Sequence, residues 1–137
     1  MSLRTLVVAL IGVLGGLALA GGIAAAAFAA DKAFDFTGSW QTTEGIVPFT
    51  QSGAELKGTY PLNKGRMHLT VTGDTAEGYW AQSDSVHRCT EAKDGTNYWG
   101  KVKFKADPGG QSFSGRRNYC EWDVSQPGGD QFDGKRR

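Results

Sequence analysis

The chain predicts an all-β domain of antiparallel strands, closed as a meander barrel or stacked as a sandwich. Three observations carry this. No stretch beyond residue 30 keeps a helical period. The β-branched and aromatic residues fall in short runs between turn signals drawn from the chain's 20 glycines. Within the runs apolar and polar residues alternate, as they do in strands with one face buried and one face wet.

The elements follow in order along the 137 residues. Residues 1–30 read as a signal segment. Arg4 supplies a short basic start, residues 6–20 are apolar, and Ala27-Phe28-Ala29 fits the small-x-small cleavage rule. An uncleaved membrane anchor over residues 6–30 is the alternative, because a crossing takes about 20 apolar residues. Both readings place the following domain outside the cytoplasm, periplasmic or extracellular. That domain spans residues 31–125, with a short strand and basic tail over 126–137.

The predicted strands are 39–43, 46–51 (Pro48 marking an edge or bulge), 54–60, 66–72, 75–82, 85–91, 97–105 and 111–122. A last short strand is expected around Phe132. Their separations of a few turn residues suit hairpins. Alternation puts Leu56, Gly58 and Tyr60 on one face, then Met67, Leu69 and Val71, then Tyr98, Gly100, Val102 and Phe104. Gly38, Gly58 and Gly78 recur at a fixed spacing, each followed two positions later by Trp40, Tyr60 or Trp80. This reads as a hairpin repeat whose glycines permit coiling and close approach of a neighbouring aromatic.

Cys89 and Cys120 are the only cysteines, and both lie in the domain expected to be exported. In an oxidising compartment such a pair most simply forms a disulfide. No ligand-spaced Cys/His set is present, so no metal or cofactor is expected. Beyond residue 30 the chain carries 14 basic and 14 acidic residues. This balance argues against nucleic acid as a partner.

Gly38-Ser39-Trp40 resembles the GxW signature that opens barrels of the calycin superfamily (lipocalins, fatty-acid-binding proteins, avidins). Thr37-Gly38-Ser39-Trp40 with Gly45, and Gly58-Thr59-Tyr60, are similar to the first part of avidin-like proteins over about 25 to 30 residues. The resemblance implies an up-and-down antiparallel barrel of about eight strands. It implies that Arg136 or Arg137 packs over Trp40, and that Tyr60 stands where the family contacts biotin. Thr42 and Ile46 replace the family's polar Asn and Ser, which removes two biotin ligands. A barrel of this size either fills with side chains or holds one small ligand.

The expected function is therefore non-enzymatic binding of a small apolar or amphipathic ligand, in the barrel or at its mouth. Trp40, Tyr60, Trp80 and Tyr98 are the candidate lining, since apolar rings with polar tips suit an enclosed site. The second reading is an envelope interaction module, an inhibitor or assembly accessory. It would act through an exposed Trp99 beside Lys101, Lys103 and Lys105, with Arg116 on the next strand. A third is a small hydrolase using His87 and a nearby carboxylate. His68, and Asp130 and Asp133 as Ca²⁺ contacts, carry no signature of their own.

Overall fold

A computed structural model describes residues 32–137; the signal or anchor segment predicted for residues 1–30 lies outside them. Nine strands form one antiparallel sheet: β1 (Gly38–Thr42), β2 (Gly45–Ser52), β3 (Glu55–Tyr60), β4 (Gly65–Thr72), β5 (Thr75–Gln82), β6 (Tyr98–Ala106), β7 (Ser112–Arg117), β8 (Asp130–Gln131) and β9 (Gly134–Arg136). Strands β1 to β7 each pair with the next in the chain. β9 then pairs with both β7 and β1, which closes the sheet into an eight-strand barrel. β8 pairs with β7 through Arg116 and Arg117, so β8 and β9 are one stave broken at Phe132 and Asp133. Among the described residues, closure leaves no long unpaired edge to template aggregation.

Two predicted strands are altered. Residues 85–91 form no strand. Their tether is instead Cys89, whose amide donates to the Asn97 carbonyl and whose sulfur bonds Cys120 with Cα atoms 5.5 Å apart. That run lacks an inward-facing apolar series, so it has nothing to bury as a stave. The predicted strand over 111–122 stops at Arg117, because Asn118 turns the chain. Its side-chain oxygen accepts the Tyr119 amide at 2.9 Å, and its Nδ2 donates to the Asp123 carbonyl at 2.8 Å. The basic tail expected at the end of 126–137 is instead part of the barrel wall. Phe132 is wholly buried, and β9 is the closing stave.

The interior is solid. Phe36, Trp40, Phe49, Phe104, Phe113 and Phe132 pack with Val47, Leu56, Met67, Trp80 and Val102, all essentially without exposure. Phe104 stacks on Phe113 with centroids 4.3 Å apart, and Trp40 lies 5.1 Å from Phe113. Phe36 comes from the segment before β1. Its carbonyl accepts the Trp40 indole N–H at 2.8 Å, which plugs this end of the barrel. Arg136 lies over the Trp40 ring at 4.4 Å and donates to the Thr37 and Asp35 carbonyls.

The repeated glycines explain the tight packing. A Cβ on Gly58 would come within 2.8 Å of both Phe49 and Val47. One on Gly78 would overlap the His68 carbonyl across the β4–β5 pair. Both positions require the missing side chain.

Candidate functional site

Neighbouring staves run antiparallel, so alternate connections gather at alternate ends. The β1–β2 turn, the β3–β4 loop, residues 83–97 and residues 118–129 meet at one end, here called the mouth. Residues 32–37, the turns at 53–54 and 73–74, and residues 107–111 meet at the other.

At the mouth the inward-facing series changes from apolar to polar. Arg117 follows Phe113 and Gly115 on the inner face of β7, and its guanidinium lies 5.5 Å from the Trp80 ring. Its Nη2 donates to Glu44 at 2.8 Å and lies 3.3 Å from Asp130. The Glu44 side chain is 9% exposed and that of Arg117 15%. An ion pair so deep loses hydration that its attraction barely restores, so it adds little net stability. Among the described residues the buried Arg117 Nε has no hydrogen-bond partner.

Beside this pair, Gln82 Nε2 donates to the Tyr60 hydroxyl at 2.9 Å, within the buried wall. Burial pushes the Tyr60 phenol up to about 12, against an ordinary 10, outweighing the Gln82 hydrogen bond. The Tyr119 hydroxyl donates to Asp130 at 3.1 Å. Its pKa is raised by burial first and by the Asp130 charge second.

Above these groups lies an open cleft of about 350 Å³, lined by Leu62, Asn63, Gln82, Asp84, Ser85, Val86, Arg117 and Tyr119. Its rim is apolar in places, with Leu62 52% and Val86 79% exposed. Next to it Trp122, 45% exposed, and Tyr119 both flank His87, whose ring is 5.4 Å from Trp122 and 4.6 Å from Tyr119. The disulfide joins the two loops that carry these rings.

The residues expected to line a ligand cavity are divided by the structure. Trp40 and Trp80 are core, and their indole N–H groups are spent on the Phe36 and Asn118 carbonyls. Tyr60 lies in the wall of the mouth, while Tyr98 is only half-buried at the start of β6. A ligand inside the barrel is overturned by the packed rings that fill it.

The expected exposed Trp99 is overturned as well. It is 3% exposed, although alternation puts it on the outer face. The 83–97 loop covers it, packing Cys89 beside it and laying Lys93 Nζ 4.7 Å above its ring, and its indole donates to the Glu91 carbonyl. Lys103 and Lys105 remain exposed and Lys101 is half-buried. Each pairs with an acid, Glu121, Glu77 and Asp74, at 3.4 to 3.7 Å, so the ridge is largely neutralised. Arg116, opposite Lys103, donates to the Val124 and Gly129 carbonyls and latches the 118–129 loop.

His87 forms no ion pair with a carboxylate among the described residues, and Asp133 accepts the Gly115 amide. His68 stacks on Tyr79 at 5.3 Å and lies 3.7 Å from Asp94. No group of three or more His, Cys, Asp or Glu positioned for a metal occurs among the described residues.

Glu44, Gln82, Arg117 and Tyr119 were thus not singled out as a site by sequence reasoning, and Asp130 was considered only as a Ca²⁺ contact. One signal was readable. Gln82 continues the inward phase of Trp80, and Arg117 that of Phe113. A polar residue in the inward phase at a strand's end marks a barrel mouth. Comparison with protein-family models, curated proteins and solved structures returns no match for this chain.

Proposed function

We propose that this protein is an exported, non-enzymatic, calycin-like binding module that takes a small amphipathic molecule at the mouth of its barrel. One observation carries the reading. The polar groups that a packed barrel has no need of, Arg117, Glu44, Gln82 and Tyr60, converge beneath one open cleft of about 350 Å³. That volume is in the range of small-molecule sites. Leu62 and Val86 on the rim give the apolar half of an amphipathic match.

The disulfide is compatible with an oxidising compartment, and Arg136 over Trp40 supports the calycin-like resemblance. A second reading, docking of a partner protein, is favoured by a separate observation. The large apolar side chains exposed among the described residues, Ile46, Leu62, Val86 and Trp122, all lie toward the mouth. In this reading the mouth replaces Trp99 and the lysine ridge as the interaction surface.

Native mass spectrometry of the protein recovered from its own source tests the proposal. The expected result is a small-molecule adduct that Arg117→Met loses. A stoichiometric protein adduct would replace this reading by the second. A bare chain, with no change on adding small amphiphiles, would overturn both.

A further inference from the structure

Resting on that reading of the mouth, we infer that the ligand is an uncharged sugar, a pyranose with its C–H face on Trp122 and its hydroxyl edge on the cleft's polar side chains. Shape, charge and hydrogen-bonding chemistry each narrow the class.

An acyl chain needs an apolar cavity to enter, and the barrel beneath the cleft is filled by Trp80 and the packed phenylalanines. The apolar groups at the cleft, Leu62 and Val86, are single side chains on its rim. An anionic head group meets three carboxylates, Glu44, Asp84 and Asp130, against one guanidinium that two of them already hold. A cationic head group fares no better, because Glu44 and Asp130 are committed to Arg117. Asp84 is exposed and accepts the Ser85 amide at 2.9 Å. The cleft therefore discriminates against net charge of either sign.

What it offers is a set of planar polar groups of mixed character. Asn63 and Gln82 line it with amides that each spend one N–H inside the protein, on the Asp84 carbonyl and the Tyr60 hydroxyl, and keep a second N–H and a carbonyl oxygen. Asp84 keeps one carboxylate oxygen beyond the one that takes the Ser85 amide, Arg117 keeps N–H donors beyond the Nη2 group held by Glu44 and Asp130, and the Tyr119 hydroxyl, whose proton goes to Asp130, can accept. A sugar hydroxyl also donates and accepts, so a ring of hydroxyls can satisfy such a mixture without bringing charge. Trp122 supplies the complementary surface. The aliphatic C–H bonds on one face of a pyranose carry slight positive charge and lie well against the negative face of an indole. Trp122 is 45% exposed and is steadied by His87 and Tyr119, with Tyr119 also lining the cleft. The disulfide fixes the Trp122 loop to the loop carrying Asp84 and Val86, which holds platform and edge in register.

The test is a ¹H–¹⁵N titration of the disulfide-bonded domain with two sets of probes. One set is neutral saccharides: methyl glucopyranoside, maltose, cellobiose and diacetylchitobiose. The other is non-sugar amphiphiles: decanoate, decanol and benzyl alcohol. The expected result is saturable shifts of the Trp122 indole and of amides 82–86 with at least one saccharide. The expected Kd is on the order of 1 mM, as suits a small ligand on an open cleft. Trp122→Ala and Asp84→Ala, both exposed and each expected to leave the barrel spectrum intact, should each weaken that binding about tenfold. Lys105→Ala at the opposite end should leave it unchanged.

If only the non-sugar amphiphiles shift the mouth amides, the sugar assignment is overturned and the mouth reading stands. If no probe shifts them, or shifts occur only elsewhere on the barrel, both fail. Saccharide binding that survives Trp122→Ala unchanged would also overturn the assignment.

Discussion

Breaking the Cys89–Cys120 bond should cost this domain a large part of its stability while leaving the barrel folded. The bond closes a loop of 31 residues. For a loop of that length, the lost freedom of the unfolded chain corresponds to about 3.5 kcal/mol at 25 °C. In a domain of roughly 100 residues each kcal/mol moves Tm by about 4–5 °C, so the drop should be about 15 °C. The structure adds that the cost is global while the damage is local. The bond ties together two loops at the mouth and packs in a small separate cluster with Ala81 and Trp99, outside the main core inside the barrel. Two perturbations separate the contributions. Reduction of the native chain removes only the cross-link. Cys89→Ala with Cys120→Ala also removes the packing of Cys89 on Trp99 and Ala81. Thermal unfolding and amide exchange read both. The expected outcome is a similar large loss of Tm in the two, with faster exchange over residues 83–97 and native-like protection of β1 to β5. A Tm drop below about 5 °C with the fold intact would refute the chain-entropy argument. Loss of barrel protection in the folded state would refute the separation of staple from core.

Other predictions follow from single contacts. Glu44→Ala leaves Arg117 with Asp130 alone and should cost about 2 kcal/mol by denaturant unfolding. Adding Arg117→Met should recover most of that, as expected when a deep charge is removed with its partner. Arg136→Ala takes away the cation over Trp40 and two hydrogen bonds to the segment before β1. A loss of about 2 kcal/mol with a red-shifted indole emission should result. Tyr60 gives an alkaline signature. Its folded pKa of about 12 exceeds the unfolded value near 10, so the folded state holds the proton more tightly. Stability should be complete below pH 10 and fall by about 2–3 kcal/mol as pH rises toward 12. Tyr60→Phe should flatten that slope, while also depriving Gln82 Nε2 of its partner. Gly78→Ala should be among the most damaging small changes, because its methyl must displace the β4 backbone. Unfolding at markedly lower denaturant is the expected outcome.

The strands before the disulfide loop were legible because each rests on information within a few residues. Leu56, Gly58 and Tyr60, or Met67, Leu69 and Val71, alternate without interruption, and each run ends at a turn residue. The structure keeps these phases inward. The same reasoning failed over residues 85–91, a run set off by turn signals in which no inward series supports a strand. It failed for Trp99, whose outward phase was correct but whose exposure was not. Phase says which way a side chain leaves the sheet. It does not say whether a distant loop returns to cover it, as the segment holding Cys89 and Lys93 does here.

The candidate site was hidden for a related reason. Glu44, Gln82, Arg117 and Asp130 are spread over most of the domain, and none belongs to a motif. Local alternation was enough to specify an antiparallel β domain and its inward rings, since strand phase and turn chemistry act over a few residues, and the cysteine pairing followed from there being only two cysteines. The solid interior, the conversion of the basic C-terminus into the last stave, and the polar cluster at the mouth follow only from barrel closure. Closure sets the register between staves, and register decides which strand ends and loops meet.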